Sequence, residues 1–515
     1  MPEQIRKSPE YKPLLFTTTL RNPERIKWFL NVLKNYNGQV LTNKLATRVA
    51  GEIIQQGLYK PLRLSSRIRE KINNGTLLDD HEVIQILENN PQNHKEAGFD
   101  HGWPSRFDTW FKIAKQLGFV YYNIGERITF SDIGLKFADN EHPEFEQQAF
   151  LNAFAKYQTN NPFRRVLNEN IPLVLLLEVI QRLNADSDYT TTGISRLELP
   201  LLLCWRDNDA EALYTKIKEI RILYGFNPSW EVILDECDQL TGGRHASQKD
   251  TTIMLELPDE FIRKMRLTGL VTLRGGGRFI DLNNKELDLI EYVVTNYSTY
   301  DKYQDDREYF DYLAQIDPKL VSGVDIKTID IEVEKVLLQK WLEQYDWESI
   351  KSELLILGQS NKSSRDEVLR IISGPLRFEF LTALGVLARY PHIKIVPHYI
   401  SDDEGLPISH APGNNSDIEC YEQETLCTLL EVTLLNGTVQ AQREVLPVAR
   451  HLHDKKSAFD SAVSFLIAPD IHQDTARYVK ILKYDEGIDI YSLSIGEFIR
   501  WLEEKAQLYP LERSG

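Results

Sequence analysis

The chain has 515 residues, 42% of them hydrophobic, and a formal net charge of −16. A chain of this length exceeds one ordinary hydrophobic core, so we expect a globular protein of three or four domains. The four cysteines form no CxxC pair, which argues against a disulfide scaffold or zinc site and predicts buried reduced thiols. The N-terminus has no apolar signal segment, and the most apolar run, 171–180, is too short to span a bilayer. We therefore expect a cytoplasmic protein without membrane contact.

The charge is unevenly distributed along the chain. Residues 1–70, the basic segment, contain thirteen Lys or Arg and five Asp or Glu, a local charge of +8, which leaves −24 on the remainder. A basic arm on an acidic body favours contact with an anionic polymer such as nucleic acid. A merely solvated basic face is the alternative interpretation.

Two helix and hairpin patterns follow the basic segment. Residues 104–139 predict an amphipathic helix, a hairpin around Asn123–Gly125, and a second helix capped by Ser131. Residues 258–283 predict a helix and a hairpin that turns through Gly275, Gly276 and Gly277. Because no Lys and Ser/Thr follow these glycines, a wing turn is favoured over a phosphate loop. Residues 171–183 and 194–205 are predicted to be helical, and the whole pattern is typical of winged-helix domains.

The remainder of the chain changes character twice. Residues 298–350 are polar, rich in tyrosine and then helical, which predicts a helical linker. From 351 onwards helices and strands alternate: a helix over 366–390, a strand over 393–400, two acidic strands, a helix over 438–453, and strands over 462–471 and 488–495. This alternation predicts an α/β sheet domain.

The two acidic strands carry the candidate chemistry. Asp417 and Glu431 lie in runs that a short connection around 422–425 joins, so the strands are predicted to be neighbours. Alternation places Glu431 and Thr433 on one face of their strand. Carboxylates in this arrangement are ligands that Mg²⁺ prefers, and bound Mg²⁺ assists phosphodiester hydrolysis. Two unrelated acids at the rim of a sheet are the alternative.

Helical residues are predicted to join these acids. Glu444 and His451 are seven apart and share one helix stripe, although Pro447 between them predicts a kink. Glu379 lies between two phenylalanines in an apolar helix, where a carboxylate needs a cation or hydrogen-bond donors. His451 has an alternative role as a partner of the helix C-terminus. Arg443 and Arg450 are alternative salt-bridge partners of the acids.

The candidate nucleic-acid contacts lie in the basic segment. Asn22 and Pro23 predict a helix start, which places Arg21 and Arg25 where a phosphate is favoured. The predicted basic surface continues through Lys27, Lys34, Lys44, Arg48, Arg63, Arg67 and Arg69. Arginine prefers guanine edges, but the sequence does not identify which of these residues reads a base.

Several motifs together resemble one enzyme family. They are TTTLRNPERIKWFL (17–30), PLRFEFLTALGVL (375–387), GNNSDIECY (413–421), LLEVTLLNG (429–437) and QREVLPVARHL (442–452). This set resembles the AlwI-like type IIS restriction endonucleases, the group that includes the BstNBI nickase. The resemblance extends from the N-terminus to the end of the α/β domain.

The resemblance implies a multidomain fold: a helix-rich winged-helix recognition region, a helical linker and a C-terminal α/β nuclease domain of the PD-(D/E)XK superfamily. The implied domains are a recognition domain with a winged-helix element (1–140), a second winged-helix recognition domain (141–297), the linker (298–350) and the endonuclease domain (351–515). It further implies cleavage of double-stranded DNA a few base pairs outside a short asymmetric site.

The same resemblance implies roles for individual residues. The Mg²⁺ ligands would be Asp417, Glu431 and the Val432 carbonyl. Glu444 and His451 would be the acid and the histidine of the following helix, and Glu379 the acid of the preceding helix. We expect Glu444 to bind or orient the attacking water or a second metal ion, and His451 to support Glu444 or contact the scissile phosphate. Thr433 occupies the position where the superfamily usually has lysine. Activation of the attacking water by a lysine at that position is therefore not expected in this chain.

Several alternatives remain open at the level of sequence. Cutting both strands needs a second active site, from a transient homodimer of the catalytic domain or a partner nuclease subunit, and host protection needs a separate methyltransferase. A strand-specific nickase is one alternative function. A non-catalytic winged-helix DNA-binding regulator is the other.

Overall fold

The structure, a computed structural model, describes residues 9–16, 20, 22–73, 76–139, 144–186, 193–243, 248–321, 331–359, 362–411, 415–422, 425–459 and 461–510. The chain divides into two compact units. The first unit comprises residues 1–50, 92–140 and 145–323, and the second comprises 51–91, 141–144 and 324–515. The four domains predicted from the sequence stay a prediction.

The helices of the described residues are, in chain order, α1 (Pro23–Lys34), α2 (Asn43–Gln55), α3 (Ser66–Asn73), α4 (Asp80–Asn89), α5 (Trp103–Gln116), α6 (Asp132–Ala138), α7 (Glu144–Lys156), α8 (Pro172–Ala185), α9 (Leu199–Cys204), α10 (Ala210–Tyr224), α11 (Trp230–Thr241), α12 (Leu257–Arg266), α13 (Leu287–Tyr297), α14 (Asp306–Ala314), α15 (Pro318–Val321), α16 (Ile331–Gln344), α17 (Trp347–Leu357), α18 (Gly374–Arg389), α19 (Thr438–Arg443), α20 (Val445–Lys456), α21 (Gln473–Glu486) and α22 (Ile495–Glu504). The strands are β1 (Val120–Tyr121), β2 (Thr129–Phe130), β3 (Ile194–Ser195), β4 (Val271–Arg274), β5 (Phe279–Leu282), β6 (Lys394–Pro397), β7 (Ile400–Ser401), β8 (Pro407–Ser409), β9 (Ile418–Glu422), β10 (Leu426–Val432), β11 (Ser461–Ala468) and β12 (Ile490–Ser494).

The first predicted helix and hairpin pattern forms in the first unit. Strands β1 and β2 pair in antiparallel fashion between α5 and α6. The Ser131 hydroxyl caps α6 by accepting a hydrogen bond from the Gly134 amide at 3.1 Å. A Cβ at Gly134 would lie 1.9 Å from the Phe119 carbonyl oxygen, so only glycine allows α6 to approach the hairpin this closely. This contact fixes how α6 packs on the hairpin.

The second pattern also forms, with one difference from the prediction. Helix α12 leads into the β4–β5 hairpin, whose turn contains Gly275, Gly276 and Gly277, all with positive φ. The glycines therefore form a turn between strands, as predicted. The predicted helix over 194–205 is wrong in its first part, because Ile194 and Ser195 form β3 and pair with β5. That helix, α9, begins only at Leu199.

The second unit is built around a mixed five-stranded sheet with the order β12-β11-β10-β9-β6. Strands β6, β9 and β10 are antiparallel neighbours, whereas β10, β11 and β12 run parallel. One face packs its apolar side chains against α20 and α21, through residues such as Leu429, Leu466 and Leu452. Helix α18 packs on β6 and β10. The predicted alternation of helices and strands is confirmed.

Two predicted helices of the second unit have different bounds. The helix predicted over 366–390 begins at Gly374, because the Asp366 carboxylate accepts hydrogen bonds from the amides of Val368 and Leu369, both at 2.8 Å, and holds a turn there. The helix predicted over 438–453 is two helices, α19 and α20, that meet at Glu444. Pro447 lies in the first turn of α20, where its missing amide is tolerated, so the break precedes the proline.

One prediction from composition, that of buried reduced thiols, is confirmed. All four cysteines are buried free thiols. In the described residues, no helix combines the length and the apolar character needed to cross a bilayer.

Candidate active site

Asp417 and Glu431 lie opposite each other at the end of the β9–β10 ladder. Ile418 pairs with Leu430, and one further step in this antiparallel register places Asp417 across from Glu431. The Val432 amide donates a hydrogen bond to Asp417 Oδ2 at 2.8 Å. The His398 amide holds the Asp417 carbonyl at 2.9 Å. The two strands are neighbours, as predicted, although residues 423 and 424 of their connection lie outside the described residues.

The helices after β10 reach back to the same strand end. His451 Nδ1 on α20 lies 2.7 Å from Glu431 Oε1. The Thr433 hydroxyl donates a hydrogen bond to Glu444 Oε1 at 3.3 Å. Glu444 and His451 therefore contact this strand end together, as the sequence predicts, even though the single kinked helix that was expected to carry them is two helices.

Glu379 approaches from α18. Its side chain is buried, with 3% of the residue exposed, and Oε1 hydrogen-bonds Nδ1 of His410. Its other oxygen, Oε2, is buried and has no hydrogen-bond partner among the described residues. We call Glu379, Asp417, Glu431, Glu444 and His451 the acidic site.

Burial and like charge act together on these groups. Burial raises the pKa of the Asp417 carboxyl well above its ordinary value, and the charges of Glu379 and Glu431 raise it further. Burial also raises the pKa of Glu431 well above its ordinary value, with Glu444 as the next cause. Burial raises the pKa of Glu444, against a smaller opposing effect of the Thr433 hydrogen bond. Each acid is thus held among other acids at a cost that a cation would relieve.

Burial lowers the pKa of His451, and the charge of Arg450 lowers it further. At neutral pH this histidine is therefore a neutral ring, which can donate one proton to Glu431 and keep its second nitrogen as an acceptor.

The donor set fits a hard divalent cation. In the part of the chain that the structure describes, no three His, Cys, Asp or Glu side chains meet closely enough to form a ready metal site. The available donors are nevertheless carboxylate oxygens, which Mg²⁺ prefers. The buried, unpartnered Oε2 of Glu379 shows that at least one such oxygen lacks a protein donor.

A second polar network lies next to the acidic site, and the sequence analysis missed it. Glu419 Oε2 accepts a hydrogen bond from Lys455 Nζ at 2.8 Å and another from the Tyr421 hydroxyl. Despite the opposing effect of burial, hydrogen bonds from His398, Lys455 and Tyr421 lower the pKa of Glu419 to about 2. Strand periodicity could have indicated Glu419, because a residue two positions after Asp417 along a strand lies on the same face of the sheet. His410, the partner of Glu379, has no such signal.

The predicted DNA contacts of the first unit are in part occupied by other contacts. Lys27 is buried, with 5% exposed, and its Nζ lies 2.8 Å from Glu146 Oε1. Lys34 is paired with Asp139. The Arg25 guanidinium lies 5.7 Å from the ring centroid of Phe29. Lys27 is therefore withdrawn as a phosphate contact, because it is inside the protein and already neutralised.

Other predicted contacts of the first unit are exposed. Lys44 and Arg48 lie on the surface of α2, where the Arg48 guanidinium is 5.8 Å from the ring centroid of Tyr36. Arg21 lies outside the described residues. Asn22 precedes α1 without a side-chain capping bond, although Pro23 occupies the first turn as predicted.

In the second unit, Arg63, Arg67 and Arg69 are exposed. Among the residues that the structure describes, the partner of Arg67 is Glu82, at a distance of 3.9 Å. Buried Asn90 accepts a hydrogen bond from the Arg63 amide and donates one to the Arg63 carbonyl, both at 2.8 Å. The backbone that carries Arg63 is therefore fixed from both sides.

Comparison with known proteins gives one extensive match. The family model described as AlwI restriction endonuclease matches residues 115–320 and 312–500. No curated protein matches the chain.

Three solved structures show weaker likeness. The small subunit of the heterodimeric restriction endonuclease R.BspD6I is 25% identical over 30% of this chain and 77% of its own, with a TM-score of 0.26. Restriction endonuclease FokI is 10% identical over 96% of this chain and 95% of its own, with a TM-score of 0.26. FokI bound to DNA is 10% identical over 96% of each chain, with a TM-score of 0.24. At these TM-scores the likenesses carry no argument.

The family match extends over well more than half of the chain and includes every residue of the acidic site. It includes four of the five motifs that carry the resemblance, whereas the motif at 17–30 precedes the matched residues. The chain belongs to the AlwI restriction endonuclease family and is a site-specific deoxyribonuclease.

Proposed function

We propose that this protein is a type IIS restriction endonuclease, which binds a short asymmetric DNA sequence and cuts both strands a few base pairs outside it in the presence of Mg²⁺. The observation that carries the proposal is the pairing of Asp417 with Glu431 at the end of a buried ladder, with Glu444 and His451 held at the same strand end. A cation bound between these carboxylates would relieve the repulsion that their burial imposes.

The order of elements supports a PD-(D/E)XK assignment for the nuclease part. Helix α18, the antiparallel strands β6, β9 and β10, helix α20 and the parallel strand β11 follow one another in the chain and share one sheet region. Asp417 directly precedes β9, and Glu431 lies on β10. The two helix and hairpin patterns of the first unit support winged-helix recognition elements by analogy of fold.

Asp417, Glu431, the Val432 carbonyl and Glu444 would hold Mg²⁺, which when bound neutralises charge developing on the phosphate and orients the attacking water. Val432 has a second function, since its amide fixes the Asp417 carboxylate. His451 fixes the Glu431 carboxylate, and Thr433 fixes that of Glu444. Thr433 thus orients an acid, and proton removal from water falls to Glu444 or His451 in the absence of the usual lysine.

DNA recognition is proposed to involve the exposed cations of the basic segment together with the half-buried Arg25. Arg25, Lys44 and Arg48 belong to the first unit, and Arg63, Arg67 and Arg69 to the second. Phosphate contacts position the duplex, and one or more of the arginines would read base edges. Arg21 is included from the sequence alone, and Lys34 would first have to release Asp139.

Cleavage of both strands requires a second active site, because one chain carries one acidic site in its described residues. We propose a transient homodimer of the catalytic domain or a partner nuclease subunit as its source. A separate methyltransferase would protect host DNA. The protein would act in the cytoplasm, where its four free thiols remain reduced.

Substitution of Glu431 tests the proposal. Glu431→Ala should lower the cleavage rate by about 10³-fold or more, because each 1.36 kcal/mol of lost transition-state stabilisation is tenfold in rate. Binding to the same DNA in a gel-shift assay should be unchanged. Glu486→Ala, at an exposed acid of α21, serves as the control. Full cleavage by Glu431→Ala would end the proposal.

A plasmid digest separates double-strand cleavage from the nickase alternative. Supercoiled plasmid should become linear for an enzyme that cuts both strands, whereas a strand-specific nickase yields open circles only. Sequencing both ends of a digested DNA gives the recognition sequence and the distance to each cut. Cuts inside the recognition sequence would contradict the type IIS assignment.

A further inference from the structure

Glu379 lies in an apolar environment that does not favour a carboxylate. Its neighbours Phe378 and Phe380 on α18 are fully buried. An ionised carboxylate in such surroundings needs compensating donors, and α18 supplies none to Oε1 or Oε2. The compensation must therefore come from elsewhere in the second unit.

His410 supplies it from 31 residues along the chain. Its Nδ1 bonds Oε1 of Glu379, and this is the carboxylate's one hydrogen bond in the described structure. A bond to a single oxygen fixes the side-chain rotamer while the second oxygen stays available. Helix α18, which carries Glu379, packs on β10, which carries Glu431. A Cβ at Gly374, the first residue of α18, would lie 3.1 Å from Leu434, just beyond β10, so the start of α18 lies at the strand end that holds both predicted metal ligands.

The segment that carries His410 is itself firmly held. His410 directly follows β8, which pairs with β7. The turn between these strands is closed by buried Asp402, whose carboxylate accepts the Leu406 amide at 2.9 Å. Trp341 Nε1 on α16 donates to the Glu404 carbonyl at 2.7 Å and fastens the turn. The histidine is thus presented from a hairpin with a fixed position.

We propose that His410 is a positioning residue, which holds Glu379 toward Asp417 and Glu431 with Oε2 directed at the divalent cation and thereby sets the affinity of the acidic site for that cation. The inference rests on the proposed function, because it assumes that the acidic site binds a cation. It adds a residue that no family motif in the sequence indicated. Removing a residue that orients a ligand typically costs 10- to 100-fold in metal affinity.

The test compares His410→Ala with His410→Asn. His410→Ala should raise the Mg²⁺ concentration for half-maximal cleavage about tenfold or more, and weaken Ca²⁺ binding measured by calorimetry by a similar factor. His410→Asn offers an amide N–H to Oε1, so it should recover most of both losses. DNA affinity in a gel-shift assay should be the same for all three proteins.

His392→Ala is the matched control. This histidine is also in the second unit, is largely exposed and has its ring nitrogen 3.9 Å from a Glu422 oxygen. Its substitution should change neither the Mg²⁺ requirement nor Ca²⁺ binding.

Two results would overturn the inference: a His410→Ala protein whose Mg²⁺ requirement and Ca²⁺ affinity are within twofold of the unaltered protein, or a His410→Asn protein as impaired as His410→Ala. Asp417→Asn distinguishes this failure from failure of the proposed function. If Asp417→Asn abolishes cleavage and His410→Ala has no effect, only the inference fails. If Asp417→Asn cuts normally, the acidic site is not the active site.

Discussion

The acidic site and the basic segment show opposite relations between charge and structure. In the acidic site, like charges are buried side by side, and named donors such as the Val432 amide and His451 hold individual carboxylates. Among the described residues of the basic segment, most charges are exposed at the surface, as for Lys44 and Arg63. A buried charge needs a specific partner that compensates for the loss of solvent, whereas water solvates an exposed charge without one.

This difference decides which charged residues support a functional argument. Lys27 belongs to the basic segment by sequence. Like the carboxylates of the acidic site, however, it is buried and has a specific partner, Glu146. Counting charges alone assigned it to the DNA-binding surface. Burial and partners, rather than local net charge, separate structural cations from those available to a phosphate.

The largest expected effect is that of neutralising one buried acid. Asp417→Asn should reduce cleavage by about 10³-fold or more. It should also raise the free energy of unfolding in metal-free buffer by about 1 kcal/mol. The reason is that repulsion from Glu379 and Glu431 disappears, while the amide oxygen still accepts the Val432 hydrogen bond. Denaturant unfolding in a chelator measures the gain.

Glu486→Gln, at the surface of α21, is the control for this substitution and should change stability by less than about 0.5 kcal/mol. A loss of stability together with activity in Asp417→Asn would make Asp417 a structural residue and weaken the contrast with the basic segment.

The second effect separates two lysines of the basic segment. Lys27→Met should lower the free energy of unfolding by about 3 kcal/mol, because Glu146 loses its partner in a poorly solvated position. Lys44→Met should change the free energy of unfolding by less than about 0.5 kcal/mol. It should reduce the magnitude of the slope of log DNA affinity against log salt concentration by about 1, because one phosphate contact is lost. Unfolding curves and gel shifts at several salt concentrations measure both.

Adding Glu146→Gln to Lys27→Met should recover most of the lost stability, since no charge is then left unpaired. If Lys27→Met instead weakened DNA binding without loss of stability, burial would be a poor guide to function in this segment.

The third effect concerns Arg63, whose backbone Asn90 holds. Arg63→Ala should weaken binding to the recognised DNA about tenfold. Arg63→Lys should restore affinity if the contact is to a phosphate, and not if the guanidinium reads a guanine through two hydrogen bonds. Asn90→Ala should weaken binding similarly, because the loop loses two hydrogen bonds at 2.8 Å. Reduced stability of Asn90→Ala with unchanged DNA affinity would contradict this.

Sequence patterns predicted the parts of the molecule that local spacing determines. Alternation and a short connection were enough to place Asp417 and Glu431 on neighbouring strands, as the register shows. Glycines marked both hairpins of the first unit, and Ser131 marked the start of the helix that follows the first hairpin. The same local rules placed Glu444 and His451 on the next helical segment.

Contacts between distant residues were beyond these patterns. The bond between Glu379 and His410 joins residues 31 apart, and that between Lys27 and Glu146 joins residues 119 apart. Nothing in the neighbouring sequence indicates either partner. The break at Glu444 was misplaced because Pro447 reports that a helix is interrupted nearby, without showing that the proline sits in the first turn of a new helix.

The smallest expected effect concerns Lys156, a buried cation whose hydrogen-bond acceptors are neutral. It tests whether a buried charge lowers the stability of the fold. It is buried in the first unit and bonds Asn152 and Gln315, and burial lowers its pKa from 10.5 to about 8. Between these two pKa values the unfolded chain binds more protons than the folded protein. The free energy of unfolding therefore rises with pH, by about 2 kcal/mol from pH 7 to 9.5.

Lys156→Met should flatten this rise in the free energy of unfolding, measured from unfolding curves at several pH values. Lys319→Met, at an exposed lysine, is the control and should keep the rise. The variant should still fold, because both acceptors of the lysine keep another hydrogen-bond donor. The backbone amide of Asp317 donates to Asn152 Oδ1, and the side-chain amide of Asn152 donates to the Gln315 carbonyl. An unchanged pH profile would show that Asn152, Gln315 and the nearby charge of Asp317 together hold a buried ammonium without cost. The carboxyl groups of the acidic site, whose pKa values are raised, have no such compensation.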